Sequence, residues 1–270
     1  MSTSRQRALT AFYENLAHVQ LDIDYYLNPI GLSRRETIVA LAAAGAGQTL
    51  IDLGCGDGLI AVQLQGGGRR VLGCDLSWTR ARRARQNGVP ALCADVLALP
   101  CRAGSFDWAI CSEVLEHVTD PGVALSEIWR VLRDGGAAIL TVPLDEHLDQ
   151  TLLDVPEETL ASGRYQEIKA DYALKGSHLS CFTVESFQQL VRVSGFAIEA
   201  TAHTYNHTLT RPLLWRAAKR IYRLLAGRRP TAPFSRWVEV LVRPLIAFSY
   251  RREPTPHHIV VRARKARTVA

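Results

Sequence analysis

Thr49-Leu50-Ile51-Asp52-Leu53-Gly54-Cys55-Gly56-Asp57-Gly58 reads as a short buried strand that runs straight into a glycine-rich turn. Glycines at alternate positions let the backbone turn tightly and bring a ligand against bare peptide groups, which a Cβ would prevent. A helix starting just after such a turn offers free N–H groups to that ligand. Seventeen residues beyond Gly58, Val71-Leu72-Gly73-Cys74-Asp75 forms a second strand ending in an acid. An acid at that place is what a nucleoside-binding α/β unit uses to grip ribose hydroxyls.

Three further signals follow in order. Cys93-Ala94-Asp95-Val96 precedes Leu99-Pro100, and Ser105-Phe106-Asp107-Trp108-Ala109-Ile110-Cys111 reads as a fourth strand. Glu113-Val114-Leu115-Glu116-His117-Val118 comes next, then Glu127-Ile128-Trp129-Arg130-Val131-Leu132-Arg133-Asp134-Gly135-Gly136 and the strand 137–143. Together these resemble the class I S-adenosylmethionine-dependent methyltransferases, in particular the small-molecule branch that includes quinone-biosynthesis enzymes. The resemblance is close over residues 45–145. It continues more faintly to about 200 through His178-Leu179-Ser180-Cys181-Phe182-Thr183 and Ser194-Gly195-Phe196.

The resemblance implies a Rossmann-like α/β fold. The expected sheet has seven mostly parallel strands, helices on both faces and an antiparallel last strand. It also implies S-adenosyl-L-methionine as cofactor. Gly54, Gly56 and Gly58, with Cys55 between them, would lie against its methionine and ribose parts, and Asp52 would fix the loop. Asp75 would accept both ribose hydroxyls, and Leu76 would pack on the adenine. Asp95 would take the adenine amine and Val96 would meet a ring nitrogen. Cys111 and Ser112 would lie beside the methionine amino group. Candidate bases are His117, which faces the acceptor or plays a structural part, and His178, which borders the substrate cavity. Tyr13, Tyr25 and Tyr26 would shape the pocket or touch the acceptor. The chemistry calls for no metal.

The chain of 270 residues divides into four parts within one domain. Residues 1–44 read as a helical lid, with helices over 7–20 and 33–44 around an aromatic loop. Residues 45–143 alternate strand and helix, the pattern of a parallel sheet with right-handed crossovers. Residues 144–182, rich in acids, read as a cap over the substrate. Residues 183–270 return to the sheet with a helix, a strand over 196–202 and a last strand over 258–263.

Between those two strands lies a basic insertion, 211–250. Residues 1–203 carry 17 Lys/Arg against 24 Asp/Glu, a net of −7, whereas 204–270 carry 15 against 2, a net of +13. Leu214, Ala217, Ala218, Ile221 and Leu225 fall on one helical face, and Val238, Leu241, Leu245 and Phe248 recur at the same spacing in the next segment. Such helices either pack on the sheet's edge or lie on an anionic membrane surface. No run of 18 apolar residues occurs, so nothing is expected to span a bilayer.

Six cysteines without metal-type spacing read as reduced thiols of a cytoplasmic protein, peripheral on the inner face of the membrane if the basic helices dock there. The expected reaction is methyl transfer to a small, lipophilic acceptor at oxygen, carbon or nitrogen. The alternatives are an RNA methyltransferase using the basic segment and a non-catalytic cofactor-binding partner protein. A dehydrogenase is disfavoured because Leu59 breaks the G-x-G-x-x-G spacing. Cys-Ser-Glu-Val after the fourth strand disfavours nucleic-acid base N-methylation.

Overall fold

A computed structural model describes residues 3–19, 29–43, 47–65, 68–144, 151–164, 167–168, 171, 177–226 and 232–266. The strands are β1 Thr49–Leu53, β2 Arg70–Asp75, β3 Ala91–Cys93, β4 Phe106–Ser112, β5 Leu132–Pro143, β6 Phe196–Leu209 and β7 Tyr250–Lys265. They form one seven-stranded sheet in the order β3-β2-β1-β4-β5-β7-β6. The first five pair in parallel, and β7 runs antiparallel between β5 and β6. Strand order reverses between β1 and β4, and the crevice beyond the carboxyl ends of strands at such a point is where open sheets bind ligands.

Strand residues alternate between two buried faces, as the two-residue period requires. Leu50, Val71, Trp108, Ile110, Ile139 and Val260 pack with Ile38 and Ala42 of α2 (Pro29–Ala43), Ala61 and Leu64 of α3 (Leu59–Leu64), and Ala81 and Ala84 of α4 (Trp78–Gln86). On the other face Ile51, Leu53, Ala109, Leu140 and Val261 meet Leu125 and Ile128 of α5 (Pro121–Val131) and Phe187 and Val191 of α7 (Val184–Val193). Local sequence starts these helices: Ser77, Asp120 and Thr183 each accept a hydrogen bond from a first-turn backbone N–H.

Helix α1 (Thr3–Val19) lies outside the sheet. Its Leu9, Phe12 and Leu16 share a small core with Leu152, Val155, Leu160 of α6 (Glu157–Ala161) and Leu179. The expected lid and cap are thus packed on one another.

The edge beyond β5 departs most from expectation. β6 continues to Leu209 and β7 begins at Tyr250, so the pair forms a long ribbon that leaves the body of the sheet. Helices α8 (Pro212–Ala226) and α9 (Ala232–Ser249) sit at its tip. The buried side of this hairpin is Trp215, Ala218, Tyr222, Val238, Val242 and Ile246, packed with Leu32 of α2. Ala218, Val238 and the partly buried Leu245 belong to the stripe expected from spacing, whereas Ile221, Leu225, Leu241 and Phe248 are exposed. Both helices carry apolar residues around most of their circumference, and the bulky Trp215 and Tyr222 take the inner side. No helix among the described residues is long and apolar enough to cross a membrane.

Candidate active site

A cavity of about 530 Å³ opens at the carboxyl ends of β1, β2 and β4. Of the residues singled out in the sequence, Gly54, Cys55, Gly56, Asp75, Leu76, Asp95, Val96, Ser112, Tyr13, His117 and His178 line it. Gly54 and Gly56 hold left-handed backbone, with φ of 66° and 54°. Asp75 ties the loop to the second strand: its carboxylate accepts the Gly56 N–H at 2.8 Å and the Ser77 N–H at 2.9 Å. Burial raises the Asp75 pKa, against the pull of Arg80 and these two amides.

Asp52, Gly58 and Cys111 are not among the residues that line the cavity. Gly58 caps α3 with φ 84°, and a Cβ there would stand 3.0 Å from Val89. Cys111 is fully buried in the core behind Ser112. Asp52 is buried beneath the loop, and its Oδ2 has no hydrogen-bond partner. Burial, and then the charge of Asp75, push its pKa up to about 7. Tyr25 and Tyr26 lie outside the described residues. All six cysteines are free thiols.

The Asp52 environment has a consequence for stability. A folded pKa near 7, against the 3.8 of a free aspartate, means that the folded chain holds an extra proton between those values. Stability therefore falls as pH rises through that window and stays lowered above it. Asp52→Asn is expected to gain most over wild type above pH 7, with the gain vanishing below the free-aspartate value. Thermal unfolding of both proteins across this range checks it; a gain independent of pH would count against the assigned burial.

Helix α1 is bonded directly to the cavity wall. The Glu14 carboxylate accepts from Ser77 Oγ at 2.6 Å and Thr79 Oγ1 at 2.5 Å, and Arg83 donates to the Ala17 carbonyl at 2.8 Å. Gln6 donates its side-chain amide to Asp95 Oδ2 at 2.7 Å. An –NH₂ group therefore already sits where the resemblance puts an adenine amine.

Elsewhere on the cavity, Tyr13, His117 and His178 form a line of edge-on rings, with centroids 5.8 and 5.0 Å apart. The Tyr13 hydroxyl donates to the Ser177 carbonyl at 3.0 Å, and His117 Nδ1 lies 2.7 Å from the same oxygen. A carbonyl only accepts, so that nitrogen carries the proton and Nε2 keeps its lone pair. Nε2 lies 3.7 Å from Glu116 Oε1. Burial, and then His178, lower the His117 pKa to about 4. His117 is therefore neutral at pH 7 and a weak base. Glu116, His117 and His178 bring ligand atoms within 4.8 Å of one another, a donor set that fits a divalent ion and that spacing in the chain did not suggest.

Sequence reasoning missed a second polar cluster on the same cavity. Glu113 is the one non-glycine among the described residues with positive φ, 57°. Its Oε1 accepts from Thr141 Oγ1 at 2.8 Å, while Oε2 lies 2.9 Å from His258 Nε2 and 3.1 Å from Arg34 Nη1. His257 and His258 bring their Nδ1 atoms to 3.0 Å. Burial opposes the Glu113 charge, but Arg34 and His258 outweigh it and hold the carboxyl below its ordinary range. Arg34 is 79 positions before Glu113, and His258 is 145 after it. The Glu-x-x-Glu-His run marks only one end of the cluster.

Residues 51–140 match the family described as "Methyltransferase domain". A ubiquinone biosynthesis O-methyltransferase from Thiobacillus denitrificans is 30% identical over 217 residues, which is 75% of this chain and 86% of that protein. The chain spans only 38% and 39% of the length of two other curated relatives. Among solved structures, an S-adenosylmethionine-dependent methyltransferase from Thermotoga maritima superposes with a TM-score of 0.53. Its identity is 21%, over 90% of this chain and 92% of that one. A geranyl diphosphate C-methyltransferase from Streptomyces coelicolor, solved with Mg2+, geranyl diphosphate and S-adenosyl-L-homocysteine, gives 0.50. It is 18% identical over 87% of this chain and 81% of that one. With this glycine loop, its two acids and the sheet order, the chain belongs to the S-adenosylmethionine-dependent methyltransferases.

Proposed function

We propose that this protein methylates a small, lipophilic acceptor held between the glycine loop and the Tyr13, His117 and His178 rings, at the surface of an anionic membrane. The observation that carries the reading is one cavity joining Gly54, Gly56, Asp75 and Asp95 to two clusters of polar side chains. When bound, S-adenosylmethionine supplies a sulfonium-activated methyl group, so the protein needs chiefly to align donor and acceptor and to exclude water. Asp75 and the Gly56 region would hold the ribose, Asp95 the adenine amine, and Ser112 the methionine end. Ile30, Ile60, Val114 and Val118 give the cavity apolar wall suited to a lipophilic acceptor. The name of the Thiobacillus relative, an enzyme of ubiquinone biosynthesis, supports that choice.

For an oxygen acceptor, a proton must leave as the methyl arrives. His178 is the favoured group to receive it, since the low pKa of His117 suits a positioning part better. Fixed by the Ser177 carbonyl, the His117 ring would orient His178 across their 5.0 Å contact.

Calorimetry with S-adenosylhomocysteine is the first test. Binding at about micromolar Kd is expected, on the order of −8 kcal/mol. A folded protein that shows no heat with this ligand would sink the reading in favour of a non-catalytic partner protein. Binding would justify an acceptor screen led by lipophilic phenols and quinones.

A further inference from the structure

The α8–α9 hairpin has two apolar sides, and only one is used inside the protein. Trp215, Tyr222, Val242 and Ile246 close the inner side against Leu32. On the outer side Leu213 and Leu224 are each 75% exposed, Leu241 and Phe248 each 65%. Eight of the twelve large hydrophobic residues exposed among the described ones lie between Leu209 and Phe248. Leu213 and Leu224 stand eleven positions apart, three turns of helix, so they share one line along α8. Arg216 and Arg220 are exposed on the same side of that helix. On α9, Val240 and Phe248 stand eight positions apart on the side opposite Val242 and Ile246. A concentration of exposed leucine and phenylalanine on this scale marks a docking surface.

Charge selects the occupant. Residues 211–252 carry eleven Lys/Arg and one Asp/Glu. A second copy of the hairpin would bring like charges together. Single-stranded nucleic acid would want aromatic platforms for its bases, but among the described residues the exposed large apolar side chains here are aliphatic except Phe248. Aliphatic residues bordered by arginines fit the boundary between the headgroups and acyl chains of an anionic bilayer.

The hairpin is mounted at the cavity's edge. Leu32 packs in its core, and Arg243 pairs with Glu36 on the same α2 helix. That helix also supplies Ile30, Gly31 and Arg34 to the cavity wall. We infer that α8 and α9 seat the protein on an anionic lipid surface through Leu213, Leu224, Leu241 and Phe248, so that α2 brings the cavity to the membrane from which a lipophilic acceptor is drawn. The purpose of the docking rests on the methyl-transfer reading; the docking itself rests only on the hairpin.

Flotation of the full chain with phosphatidylcholine vesicles, with and without phosphatidylglycerol, tests it. Each sample is also titrated with S-adenosylhomocysteine. Wild type is expected to float with the phosphatidylglycerol vesicles and to stay in solution with phosphatidylcholine alone. The combined Leu213→Ser, Leu224→Ser, Phe248→Ser protein is expected to lose at least about tenfold in partitioning, with S-adenosylhomocysteine affinity unchanged. Arg216→Glu with Arg220→Glu should lose about tenfold at low salt and less at high salt.

The inference is overturned if wild type that binds S-adenosylhomocysteine ignores the anionic vesicles, or if the serine variant floats as wild type does. It is equally overturned if wild type leaves the vesicles untouched and binds an RNA oligonucleotide, or forms a dimer that the serine changes dissolve. Vesicle binding by a protein with no S-adenosylhomocysteine affinity would uphold the docking and remove the methyl-transfer reading instead.

Discussion

Asp75→Ala is expected to bind S-adenosylhomocysteine at least about tenfold more weakly than wild type while remaining folded. In the proposed complex the carboxylate accepts two charge-assisted hydrogen bonds from ribose hydroxyls, each worth about 1.5–3 kcal/mol. One of them is enough for a tenfold loss, about 1.4 kcal/mol. The same carboxylate holds the Gly56 and Ser77 amides, so its removal also loosens the loop. Global stability should change little in comparison. Burial makes the Asp75 charge costly, and the substitution removes that cost together with the two bonds. Asp75→Asn keeps one acceptor oxygen and should fall between the two. Calorimetry and thermal unfolding on the three proteins separate the effects. Equal affinity in Asp75→Ala would refute the ribose assignment, whereas lost affinity in an unfolded protein would show only that the loop needs its anchor.

Gly54→Ala is expected to destabilise the protein by about 3 kcal/mol, far more than the same change at a surface glycine. Part of the cost is backbone: at φ 66° a Cβ meets its own chain, at about 1–2 kcal/mol. The rest is packing. The new Cβ would stand 2.2 Å from Val114 Cγ2, and crowding in a closed core costs about 1–3 kcal/mol. The melting temperature should fall by about 6–12 °C in a protein of this size. Gly88→Ala and Gly104→Ala separate the two parts. Both glycines have positive φ, and a Cβ added at either would find nothing within 4 Å, so only the backbone cost applies. Adding Val114→Ala to Gly54→Ala should restore part of the loss as a coupling between neighbours. If all three alanine changes cost the same, the contact with Val114 is not what demands glycine at position 54.

The difference between what could and could not be read beforehand follows from distance along the chain. The glycine loop and Asp75 sit where an apolar strand ends, so local spacing points to them; Asp95, two residues beyond β3, is singled out by the resemblance, and all line the cavity. Asp52, expected to fix the loop, and Cys111 lie behind the cavity wall on opposite buried faces of the sheet; a two-residue period says which residues alternate, not which of them a ligand reaches. The cluster of Arg34, Glu113 and His258 has no local signal at all, because α2, the turn after β4 and the start of β7 meet only in the folded sheet. On α8, the expected stripe and the buried side share Ala218, but Trp215 and Tyr222 close it rather than Ile221 and Leu225. With apolar residues on most of the circumference, amphipathic spacing cannot select between faces, and the volume of Trp215 and Tyr222 decides instead.

Helix α1 reaches both halves of the cavity at once. Gln6 holds Asp95 and Glu14 holds Ser77 on the cofactor side, while Tyr13 grips the Ser177 carbonyl and Arg5 the Val155 carbonyl on the cap side. Under the proposed assignment a cofactor amine at Asp95 would compete with Gln6 for the same carboxylate, on the helix that also holds the cap. The helix is thus a hasp across two doors, latched to the glycine-loop wall on one side and to the cap on the other.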